Sequence, residues 1–320
     1  MSTYKEINGI KVQSLSSDPP APFLGEVWYN TTSNSLKYFG VAEGWSTGGN
    51  LNTARSYLAG AGTQTAGLAI GGEGPAVEDA TEEYNGSSWT NGGNMGTARR
   101  SLAGCGTQTA GLAFGGTPPL SNATEEYNGT SWTNGGNLTT AREGLAGAGT
   151  QTAGLAFGGT TGAPSYTSQN ATEEYNGSSW TNGGNMGTAR YTLAGFGTQT
   201  AGAAAGGRPK TGATEEYNGS AWTAGGTMGT ARFRVVGAGI QTAGLAFGGS
   251  EDPPNTAATE KYDGSSWTAA SNMLTVISGG MGSAGTQTAA LGFGGGPTGG
   301  ALTQTQEFGT GPTTLTVETN

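Results

Sequence analysis

The sequence contains no histidine and a single cysteine, Cys105. Without histidine the chain lacks the side chain most often used as general base and metal ligand near neutral pH. One cysteine makes neither an internal disulfide nor a thiolate metal site. Charged residues are 11% of the 320, against about a quarter in ordinary soluble domains. The formal charge is −9, so nucleic acid and anionic membrane are repelled and neither is expected as a partner. No apolar run approaches the ~18–20 residues of a membrane helix, so no insertion is expected. The first residues, MSTYKEINGIKVQ, lack a basic start followed by an apolar core. No signal peptide is expected, and synthesis is placed in a cytosol. There is no P-loop, zincin or EF-hand string.

Glycine is what the chain has in excess, 63 of 320 residues, about one in five against ~7% in average proteins. The glycines do not recur every third residue, which excludes collagen. Disorder is the natural reading of a Gly-rich, low-charge chain, but regularly spaced tryptophans oppose it. The string GTQTAGLAFGG, or a close relative, starts at Gly62, Gly106, Gly149, Gly197, Gly239 and Gly285. A second string, TEEYNGSSWT, follows, with Tyr84, Tyr127, Tyr175, Tyr217 and Tyr262, then Phe308 in the last copy. Its tryptophans are Trp89, Trp132, Trp180, Trp222 and Trp267, and Trp45 precedes the first full copy. A third element, Thr-Ala-Arg, ends at Arg55, Arg99, Arg142, Arg190 and Arg232, with Ser278 read in its place in the last copy.

Repetition at 42 to 48 residues means a stacked or radial array. Each unit reads as four short strands, in the first copy at 56–61, 66–71, 80–84 and around Trp89. Gly-Gly and Asn-Gly pairs supply the turns. The order of Gly-Gly, then Tyr, then Trp resembles the kelch repeat of β-propellers, over residues 36–308. The resemblance implies an all-β, six-bladed kelch-like propeller, with blades trimmed relative to the usual period. The two strands nearest the axis, here Ala- and Gly-rich, are then slim, and Tyr and Trp carry the bulk. One buried tryptophan removes about 150–250 Å² from water, roughly 4–6 kcal/mol. The last unit lacks a tryptophan, so the strand around Trp45 is expected to complete it, which closes the ring and removes open edges.

Length and composition vary mainly between Gly-Gly and Tyr. These b–c connections read EGPAVED, TPPLSN, TTGAPSYTSQN, RPKTG, SEDPPNTA and GPTGGA. In four-stranded blades they share a face with the d–a connections, so one face is diversified and the other uniform. Binding belongs on the diversified face. Its longest loop, 160–170, presents Tyr166 among Ser, Thr and Asn, suited to stacking on a sugar, with Arg208 and Lys210 in the neighbouring loop for an acidic group. In kelch adaptors, the resemblance implies, arginines at the repeat position line an axial pocket for acidic peptides. Arg55, Arg99, Arg142, Arg190 and Arg232 then form a binding ring; the alternative is that each pairs with a glutamate of the TEE string, such as Glu82 or Glu83.

No catalytic residues, metal or cofactor are expected. The copper site of galactose oxidase, a kelch propeller, needs histidines. A sialidase-like glycan-cleaving enzyme remains a rival, with carboxylates such as Glu78, Asp79, Glu251 and Asp252 meeting across the axis. A cellular kelch adaptor is another. Cys105 reads as a small buried filler.

Residues 1–34 precede the repeat. YKEINGIKVQSL alternates like a strand, SSDPPAP is an extended linker, and GEVWYNTTSNSLKYF reads as a hairpin turning at 31–34. This stretch resembles hairpins that precede the heads of bacteriophage tail-fibre and other virion proteins. The expected organisation is an attachment segment, 1–34, a propeller, 35–312, and a tail strand, 313–320. The expected role is a non-enzymatic virion component, made in the host cytoplasm, fixed to other virion proteins through its N-terminal segment and binding a host-surface glycan or receptor. Homo-oligomerisation is compatible with it.

Overall fold

A computed structural model describes residues 3–7, 10–163, 165–252, 254–277, 280–296 and 300–317. The chain divides into Trp45–Phe308 and a second unit, Met1–Gly44 with Gly309–Asn320.

The larger unit is an all-β propeller. Blade 1 has strands a to d at Ala59–Thr63, Ala66–Ile70, Thr81–Tyr84 and Trp89–Asn91. Each strand pairs antiparallel with the next. Four more blades repeat this order over 103–134, 146–182, 194–224 and 236–270. A sixth, mixed sheet is built from N- and C-terminal strands. Its order ends Ser35–Thr47, Thr305–Thr316, Ala290–Phe293, Gly282–Gly285. Residues 45–47 therefore lie beside the strand that carries Phe308, as the missing tryptophan predicts. The Trp45 ring is 5.2 Å from Phe308 and 4.8 Å from Phe247.

Strand a begins three residues later than its sequence suggests. Arg55 turns inward, Ser56 bridges Glu73, and Tyr57 adopts a left-handed φ of 53°. The inner strands approach too closely for side chains: a Cβ on Gly195 would lie 2.8 Å from both Gly147 O and Phe157 Cζ. The Gly-Gly that ends strand b turns with φ of 58° and 104° at Gly71 and Gly72, conformations that side chains oppose. Bulk sits between blades, where a strand-b Phe meets the next blade's Trp, as Phe114 meets Trp180 at 4.9 Å. Blade 1 has Ile70 and blade 4 Ala205 where the other sheets carry Phe, and Phe196 on strand a of blade 4 fills the gap against Trp267.

In the smaller unit the first segment is a hairpin rather than one strand, Thr3–Ile7 against Ile10–Leu15, with Ile7 opposite Ile10. Asn8 and Gly9 lie outside the described residues. The hairpin predicted at 31–34 forms, Val27–Asn30 against Ser35–Thr47, with Asn30 opposite Ser35. Asp18 of the linker accepts hydrogen bonds from Trp28 Nε1 (3.0 Å), Asn30 Nδ2 (2.7 Å) and Lys37 Nζ (3.0 Å). Led by the Asn30 bond, these partners hold its carboxyl below the usual range.

Candidate functional site

The repeated residues hold neighbouring blades together. Each GTQT glutamine donates to two carbonyls of the preceding blade, as Gln108 does to Gly67 O (3.1 Å) and Tyr84 O (2.7 Å). Gln64, Gln151, Gln199, Gln241 and Gln287 do likewise. Each propeller tryptophan donates Nε1–H to the threonine that opens strand c of the preceding blade: Trp132 to Thr81 at 2.9 Å, and Trp45 to Thr259 at 3.0 Å. The tyrosines donate to the last TEE glutamate of the preceding blade, Tyr127 to Glu83 at 2.6 Å and Tyr84 to Glu307 at 2.5 Å. Burial, with these bonds, pushes Tyr84, Tyr127, Tyr175, Tyr217 and Tyr262 up to about 12.

Arg55, Arg99, Arg142, Arg190 and Arg232 are wholly buried. Arg142 donates to Gly158 O (2.7 Å), Ala171 O (2.9 Å) and Glu173 Oε1 (2.8 Å). The other four pair with Glu82, Glu125, Glu215 and Glu260 at 2.8–3.0 Å. Burial lowers all five arginine pKa values, against the opposing pull of the partner glutamates. Their guanidiniums face the protein, so an acidic ligand would have to break a buried ion pair to reach one. This is the geometry of the intramolecular alternative, and it makes the five arginines structural members of the blades.

At the sixth sheet both partners change. Ile277, not Ser278, stands at the arginine position: its carbonyl accepts from Gly249 N as that of Arg142 accepts from Gly116 N. Ser278 lies outside the described residues. Gln306 replaces the paired glutamate, and its Oε1 accepts from Leu274 N (2.8 Å) as Glu173 Oε2 accepts from Thr139 N (2.6 Å). Similarly, Phe308 replaces the tyrosine and Lys261 the glutamate it would meet, with Nζ 5.6 Å from the ring centroid. A buried carboxylate without its cation is costly, which accounts for the paired exchange of Arg–Glu for Ile–Gln.

The d–a and b–c connections share one face. The residue after each arginine bridges the b–c loop of the same blade, Arg100 to Thr117, Glu143 to Thr160, Tyr191 to Arg208 and Phe233 to Ser250. On this face Tyr166 is 52% exposed, with a left-handed φ of 42°. Its loop packs towards TPPLSN, since a Cβ on Gly162 would lie 3.2 Å from Leu120 Cδ1. Arg208 pairs with Asp252 (2.6 Å) and lies 3.8 Å over the Phe233 ring. Lys210 Nζ donates to Glu251 O (2.6 Å). Arg208 and Lys210 thus tie the blade 4 loop to the blade 5 loop. Among the described residues no hydrogen bond or ring contact joins Tyr166 to either of them. Of the carboxylates considered for an axial pair, Asp79 accepts from Asn94 Nδ2 (3.0 Å) and Asp252 holds Arg208.

At the propeller axis this face opens into a cavity of about 140 Å³. Its rim includes Tyr57, Ser101, Gly144, Thr192, Arg234 and Gly280, all left-handed, with φ between 50° and 59°. Backbone hydrogen bonds link them in sequence: Ser101 N to Tyr57 O, Gly144 N to Ser101 O, Thr192 N to Gly144 O and Arg234 N to Thr192 O, at 2.7–2.8 Å. The sequence hides this ring, because the six residues share a conformation and no residue type. The sequence matches no family model, and no curated protein is similar to it.

Proposed function

We propose that this chain is a six-bladed propeller of kelch type that serves in a bacteriophage virion as a fibre or decoration component. It is made in the host cytoplasm, is held to other virion proteins through its N-terminal segment, and binds a host-surface glycan or receptor without catalysis. One observation carries the reading. Residues that repeat are engaged between blades, whereas residues that differ between copies gather in the b–c loops and at the axial rim. An asymmetric surface on a repetitive scaffold suits recognition.

The test is binding of the purified full chain to host cells. Tyr166→Ala with Arg208→Ala is expected to weaken attachment about tenfold, ~1.4 kcal/mol. The melt should move little, because an exposed ion pair contributes about 0–1 kcal/mol. Undiminished attachment by this variant, with loss on changing the GTQT turns, would place recognition on the opposite face.

A further inference from the structure

The rim of the axial cavity carries a cation with no carboxylate partner among the described residues. Seven of the eight arginines have a carboxylate partner. Among the described residues Arg234, the eighth, has neither an ion pair nor a side-chain hydrogen bond, although the chain carries 22 acidic residues against 13 basic ones. It is only half-buried, on the cavity rim. Its guanidinium carbon lies 5.4 Å from the Tyr57 ring centroid and 5.6 Å from that of Phe233. Its backbone is fixed by the hydrogen bond to Thr192 O. Ser101 adds a hydroxyl to the same rim, and that of Thr192 donates to Tyr191 O (2.8 Å). Gly144 and Gly280 leave it open, and a Cβ on Gly280 would come within 2.9 Å of Tyr57 Cδ1.

From this arrangement we infer that the axial cavity binds the carboxylate of a sugar acid, with Arg234 as its anchor and Tyr57 as the wall against the sugar ring. The guanidinium fork matches a carboxylate in two parallel hydrogen bonds. A tyrosine ring offers a flat apolar face to sugar C–H groups and a hydroxyl at its edge. A cavity of about 140 Å³ is of the size of one sugar ring, and a hexuronic acid unit at a chain end or side branch supplies both that ring and the carboxylate. The inference refines the glycan reading proposed above and rests on it.

The experiment titrates the full chain with glucuronic and galacturonic acids, and with glucose and galactose as uncharged counterparts. Acetate tests the carboxylate alone. The acids are expected to bind at least tenfold more tightly than the neutral sugars and than acetate. Arg234→Gln should lose at least tenfold and Arg234→Lys retain part of the affinity, with melts unchanged. Tyr57→Asn, which tolerates the left-handed backbone, should weaken the acids but not acetate. Equal binding of acids and neutral sugars, acetate binding as tightly as the acids, or Arg234→Gln binding like the parent would overturn the inference. Host-cell attachment separates the two readings. If Arg234→Gln and the parent attach equally, the axial site fails and adhesion stands; if the parent does not attach, adhesion itself fails.

Discussion

Exchange of the Arg142–Glu173 pair reproduces in blade 3 what the sixth sheet already carries. Arg142→Ile removes the bond to Glu173 and both carbonyl contacts, to Gly158 and Ala171. Glu173 is then buried without its cation, a loss of about 3–5 kcal/mol. At about 2 °C per kcal/mol for a large domain, the melt should fall by roughly 6–10 °C. Adding Glu173→Gln creates the Ile277–Gln306 arrangement and keeps an acceptor for Thr139 N. The double variant should recover about 2 kcal/mol, although two carbonyls still lack their donor. Thermal melts of parent, singles and double close the cycle. A double variant no more stable than Arg142→Ile would refute the reasoning.

Three further outcomes follow from the same contacts. Deleting 303–320 removes the strand beside 45–47, together with the Thr305 acceptor of Trp89 and the Glu307 partner of Tyr84, and should lower the melt sharply; an unchanged melt would show that the ring does not depend on this closure. The five repeat tyrosines have phenols raised from 10.0 to about 12, so their stabilisation is intact below pH 10 and is lost as pH rises towards 12. Phenolate absorbance should then develop with unfolding rather than before it. Cys105 is buried, and burial pushes its thiol up to about 12; it should react with a thiol reagent only as fast as the protein opens, and rapid labelling of the native chain would contradict its placement.

The scaffold is legible because its contacts repeat. Gln, Thr, Trp and the Tyr–Glu pair each bridge the same neighbours in blade after blade, so identity at a fixed spacing records a contact. Closure by the Trp45 strand is legible from one missing residue in the last copy. The arginines are harder. Their spacing places them at the d–a entry, but a guanidinium there points either to the axis or into the blade, and spacing alone leaves both open. The exchange of Arg and Glu for Ile277 and Gln306 distinguishes them, and reading the position at Ser278 conceals it. The axial rim is least legible. Tyr57, Ser101, Gly144, Thr192, Arg234 and Gly280 share a left-handed turn, a property of the backbone, and a comparison of copies discards such positions as noise. Tyr57 shows the consequence: it reads as part of strand a, but its φ of 53° delays the strand to Ala59.

The proposed role as an adhesive virion component is tested most directly by a density map of the intact particle, with the chain identified in it by mass spectrometry. Propeller density attached through the N-terminal unit is expected, with the b–c loops and the axial cavity facing solvent. A particle that lacks the chain, or one that buries the b–c face against the capsid or tail, would contradict it.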